Sequence, residues 1–188
     1  MSTTDSGRYR NQLLIETIAE RLGMDALARR IPGIDPYPPY LLVGLTLFVE
    51  YGVFDLYNYF VTGKNSFVVE PNSLAVPTMI ILAVVGARYI HDSYADAVAA
   101  LRIDERGVTG DRRSFESLIG IRLQLAATVV VWGAVQGFNV FVLGMGNLVD
   151  IDGIGLVVYG QFAFTLVYIP VLVEFGLSYF AEIGRAHV

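Results

Sequence analysis

Cysteine is absent from the 188 residues. That single absence removes disulfides, thiolate zinc sites and cysteine nucleophiles together. Lysine is nearly absent: Lys64 stands beside twelve arginines. No long apolar stretch contains it, which excludes a retinal-type Schiff base within the membrane. Histidine is confined to His91 and His187. No serine lies in GxSxG and no HExxH occurs, while Gly144-Met145-Gly146 lacks the lysine of a phosphate-binding loop. Accordingly no catalytic residue, cofactor or metal is assigned. The formal charge of −5 argues against nucleic acid, which is held by basic clusters.

Charge of either sign is scarce. Charged residues make up 16% of the chain and hydrophobic ones 54%, with a mean hydropathy of +0.54. An average soluble domain carries roughly a quarter charged residues. A chain this short and this apolar cannot enclose its own greasy surface, so lipid is the expected partner. The surplus of carboxylates over lysine resembles the composition of salt-accumulating halophiles, although a GC-rich genome yields the same arginine bias. No signal peptide is expected, because the first apolar stretch begins near Tyr40.

Along the chain, residues 1–38 read as a cytoplasmic N-terminal segment and 39–181 as a four-span membrane domain, giving an all-α bundle. Asn11 to Leu22 has helical periodicity. Leu14, Ile15, Ile18, Ala19 and Leu22 share one face, and Glu16, Glu20 and Arg21 lie off it. Two placements are open for this amphipathic helix: on the bilayer surface, or against the protein's own cytoplasmic loop. Gly23 is placed to stop it, Asp25 to cap a short helix Ala26 to Ile31, and Pro32, Pro36, Pro38 and Pro39 to end that one.

Four apolar stretches follow: Tyr40 to Phe60, Ser73 to Ile90, Ile121 to Leu143 and Ile154 to Phe180. About 20 residues are needed to cross the hydrocarbon. The second is the shortest, with Pro77 near its start and Arg88 near its end, so a re-entrant segment stays open there. Basic residues resolve the orientation. Arg8, Arg10, Arg21, Arg29 and Arg30 precede the first stretch. Arg88, Arg102, Arg106, Arg112, Arg113 and Arg122 lie between the second and third, and the other two loops contain only Lys64. This alternation places the N-terminus in the cytoplasm of a cell-membrane protein and requires the second stretch to cross. Ser114 is expected to cap the third helix.

The final six residues, Ile183 to Val188, match one reading frame of a common short-read sequencing adapter. Residues 182–188 are therefore expected to be a non-native tail, with the natural chain continuing past Glu182; His187 and Arg185 carry no argument.

Ionisable groups within a span cost roughly 2.5–3.5 kcal/mol on insertion scales, which makes them the functional candidates. They are Glu50, Asp55 and Glu174, with Arg88 at the margin. At a rise of about 1.5 Å per residue, Glu50 lies roughly 15 Å into the first helix and Asp55 about 22 Å. Gln136 and Gln161 fall near the height of Asp55, with Asn139 a turn further out, so a polar layer of these four in the outer half is geometrically allowed. Glu174 and Arg88 both fall toward the inner side, within reach of pairing. Five residues of α-helix put Glu50 and Asp55 about 140° apart, too far to share one narrow seam. Gly133 and Gly137 form a GxxxG that is expected to pack a helix, within the chain or from a homo-oligomer or partner subunit. His91, Asp92 and Asp96 lie within two turns, but only the aspartates share a face.

Three classes of function remain: transport or ion and proton handling through Glu50 and Asp55; a non-catalytic sensory or assembly subunit; and a membrane enzyme near Arg88, His91 and Asp92.

Overall fold

The computed structural model describes residues 13–32, 37–63, 68–69, 71–101, 120–145 and 155–186. Within these, the side chains of Thr62, 94–95, 97–101, 155–159, Gln161 and 181–186 lie outside the description. Ser114, most of the loop arginines, Lys64 and His187 also fall outside the described residues.

All regular structure among the described residues is helical. Two short helices come first, α1 (Leu14–Arg21) and α2 (Met24–Ala28). Gly23 joins them at φ +75°, a left-handed conformation that a side chain would strain. The first long helix consists of α3 (Pro38–Leu47), a π-helical segment (Phe48–Asp55) and α4 (Leu56–Thr62). Pro38 and Pro39 fit its first turn, where amide protons have no intrahelical acceptor anyway. Gly63, at φ +66°, ends it by donating its N–H to the Tyr59 carbonyl at 2.8 Å. A 3₁₀ turn, Pro71–Leu74, leads into α5 (Ala75–Leu101), followed by α6 (Ile121–Phe141) and α7 (Gly155–Ala186).

Among the described residues, four segments are long and apolar enough to cross a bilayer: Pro38–Val61, Pro71–Ser93, Ile121–Phe141 and Phe162–Phe180. The second, the doubtful one by sequence, is a continuous helix once its 3₁₀ turn is included. Pro77 sits just past the junction of the 3₁₀ turn with α5, close enough to the helix start to be tolerated. Its 23 residues rise about 34 Å, more than the roughly 30 Å hydrocarbon core.

Burial is inverted relative to a water-soluble globule. Phe141 is 86% exposed, and Phe60 and Val130 are also largely exposed, whereas Glu174, Gln124 and Ser178 are sealed inside. An apolar exterior of this extent is unfavourable in water and matches hydrocarbon.

The helix α7 is the hub. It packs along α5 and α6 and touches α1, α3 and the π segment. Pro170 interrupts its backbone ladder and is fully buried, and its chain neighbours Ile169 and Val171 are buried too. Gly86 on α5 lies directly against the Phe175 ring of α7. Gly160 likewise admits Phe54 from the π segment. By contrast, a Cβ added at Gly133 or Gly137 would meet nothing within 4 Å among the described residues, so the close packing inside the chain falls on other glycines.

The helix α1 packs on the long helices themselves. It is seated in one end of the bundle, touching α3, α6 and α7. Leu13, Ile15 and Ala19 join the same buried cluster as Tyr37, Leu42, Val84, Ala87, Tyr168 and Val171. The periodicity is off at two positions. Glu16 is buried, its carboxylate accepting from Leu13 N–H at 3.1 Å, and Leu22 is exposed where the chain turns at Gly23.

Candidate functional site

Glu50 lies near the middle of the first span, in the π-helical segment Phe48–Asp55. Such segments are rare and concentrate at functional positions. Winding with i→i+5 hydrogen bonds brings residues five apart round to nearly the same side. The separation of about 140° between Glu50 and Asp55 assumed 3.6 residues per turn and therefore does not apply. The π segment therefore brings Glu50 and Asp55, five residues apart, closer together round the helix axis than an α-helix would. Gly52, inside this segment, leaves room for the ring of Phe48.

The partner of Glu50 comes from the hub helix. The Tyr168 hydroxyl donates a hydrogen bond to Glu50 Oε2. Tyr168 is buried and Glu50 half-buried. No basic side chain forms an ion pair with Glu50 among the described residues. The carboxylate is thus held by a neutral hydroxyl, in a bundle where a full charge has little else to offset it.

A turn away, Thr165 anchors a second polar group. Its Oγ1 accepts from Gln136 Nε2 at 2.6 Å and from Trp132 Nε1 at 3.0 Å, and donates to the Phe162 carbonyl at 2.7 Å. Asn139 Nδ2 reaches Gln136 Oε1 at 3.4 Å. Gln136 and Asn139 therefore belong to one polar layer, which ties α6 to α7. Its centre, Thr165, was missed: a lone threonine in an apolar run has no spacing signal. The side chain of Gln161 lies outside the described residues.

At the end that carries α1, Glu174 and Arg88 have separate roles. Glu174 Oε1 accepts the Ile15 N–H at 2.6 Å, and Gln124 Oε1 accepts the Leu14 N–H at 2.7 Å. The first-turn amides of α1 have no intrahelical acceptor, and its N-cap residue, Leu13, has no side-chain oxygen to offer. Two residues from the long helices supply the missing caps. Arg88 instead lies over the rings of Tyr37 and Tyr40, 4.5 and 5.2 Å from their centroids, and 3.4 Å from Asp92. His91 is buried, Asp92 half-buried and Asp96 exposed. Gln124 was not foreseen as a functional residue.

Between α3 and α5 runs a groove of about 550 Å³, lined by Val43, Leu47, Phe48, Ile81, Val84 and Val85 among others. Its walls suit hydrocarbon rather than an ion.

No family model matches the chain, and no similarity to a curated protein or to a solved structure is found.

Proposed function

We propose that this chain is a multi-pass membrane protein that handles protons or small cations, alone or as a subunit of such a system, with Glu50 as the exchanging carboxylate. One observation carries the reading. An ionisable group stands at mid-depth in a π-wound turn, held by the Tyr168 hydroxyl rather than by a basic residue. A hydroxyl partner leaves the carboxylate able to gain and release a cation, whereas an arginine would lock it in the charged form. Asp55 stands five residues further along the same segment, and Tyr168 acts as a positioning residue. The alternation of basic residues supports a cytoplasmic N-terminus in the cell membrane, which puts α1, Arg88 and Glu174 at the inner end.

The test is ion flux into liposomes containing the purified protein. Glu50→Gln is expected to abolish proton or cation flux and Tyr168→Phe to reduce it, with both variants still folded by circular dichroism. Unchanged flux in Glu50→Gln, or no flux either in the parent protein or in a chain lacking helix α1, would overturn the reading.

A second reading, a non-catalytic assembly or sensory subunit, is favoured by the open Gly133 and Gly137 face of α6. A partner helix or a second copy of the chain would pack there.

A further inference from the structure

The end of the bundle occupied by α1 is closed in an unusual way. A short helix normally caps itself with a serine, threonine or aspartate at its first position. Here that position is Leu13, and the first-turn amides are held by Gln124 from α6 and Glu174 from α7. Both side chains are only 1% exposed. The second oxygen of Glu174 has no hydrogen-bond partner among the described residues, and neither has Ser178 Oγ, one turn further along α7. These polar groups are costly where they stand, and α1 satisfies only part of their demand.

The apolar side of α1 continues the same arrangement. Leu13, Ile15 and Ala19 belong to a buried cluster that reaches Tyr168. Along α7, Tyr168 lies six residues from Glu174, about 9 Å deeper. The far side of α1 carries Glu20 and Arg21, both exposed. Helix α1 is thus a small body whose apolar residues share a buried cluster with Tyr168, the residue that holds Glu50, and it is fastened at its N-terminus by two span residues. Only Gly23 and α2 separate it from the segment that leads to the first span.

We infer that α1 is a removable plug: seated, it closes the bundle end above Tyr168 and Glu50, and released, it opens a water path to that carboxylate. This rests on the ion-handling reading of Glu50. The caps provided by Gln124 and Glu174 are the latch. Both are acceptors aimed at backbone amides, so removing them loosens α1 without touching Glu50 or Tyr168.

The experiment uses the full chain in liposomes. Because the protein has no cysteine, Ala19→Cys provides a unique reporter at a position with 0% exposure. With no other change, the thiol at position 19 should react with a water-soluble maleimide at least tenfold more slowly than one introduced by Glu20→Cys at the exposed neighbour. The double variant Gln124→Leu/Glu174→Leu keeps the side-chain bulk and removes both acceptors. It should speed labelling at position 19 and raise proton or cation flux at least fivefold. Adding Glu50→Gln should return flux to that of protein-free liposomes. A chain lacking residues 1–22 should match the double variant in flux, and it serves as the second route if the leucines prevent folding. Rapid labelling at position 19 with the latch intact, or flux in the released variants equal to the parent's, would overturn the plug while leaving Glu50 as the exchanging group. Absence of flux in every protein, with α1 demonstrably released, would remove the plug and the ion-handling reading together.

Discussion

The ring of Phe175 on α7 fills the space that a side chain on Gly86 of α5 would need: a Cβ there would stand 2.6 Å from Cε2. The two helices approach closely because one position lacks a side chain and the facing one carries a flat ring. Gly86→Leu is expected to destabilise the bundle by about 1–3 kcal/mol, the usual cost of overpacking. Thermal unfolding in detergent checks this, and an unchanged midpoint would show that α5 and α7 are not packed at that level.

Thr165 accepts two donors from α6 at once. Thr165→Val keeps the shape, leaves Gln136 and Trp132 without their acceptor, and should cost about 1–3 kcal/mol. Trp132 is the only tryptophan in the chain, so its fluorescence reports the change directly. Thr165→Ser, which retains the hydroxyl, should preserve the parent spectrum.

Gly133 and Gly137 have open space on their faces within the described part of the chain. Gly133→Ala is therefore expected to leave the monomer's stability unchanged or raise it by up to about 1 kcal/mol through helix propensity. The same variant should weaken any association through that face. Cross-linking in native membranes, compared between parent and variant, reads association apart from thermal stability measured in detergent.

The orientation proposed from the basic residues is checked with single cysteines in this cysteine-free chain. Gly110→Cys should be protected from an impermeant maleimide in intact cells, and Lys64→Cys should react. The reverse pattern would invert the topology and place α1 outside.

Much of the architecture was legible along the chain. Residues such as Val129, Val130 and Phe141 announce a helix surface made for hydrocarbon, because the requirement for about 20 apolar residues is local and needs no partner. The prolines at 38, 39 and 77 mark helix starts by the same local logic. The functional pairing was not legible. Tyr168 and Glu50 are 118 positions apart, and neither carries a spacing motif that names the other.

The sequence by itself determined how many apolar helices there are, roughly where they begin and end, and which few ionisable residues they enclose, since each of those follows from composition over one stretch. Only the tertiary structure decided which of these residues meet. It wound Glu50 and Asp55 closer together round their helix through a π segment, gave Glu174 to the amide of Ile15 rather than to Arg88, and seated α1 in the bundle end. The physical reason is that a buried polar group must find its partner among whatever the packing brings within about 3 Å, and packing is a property of several helices together.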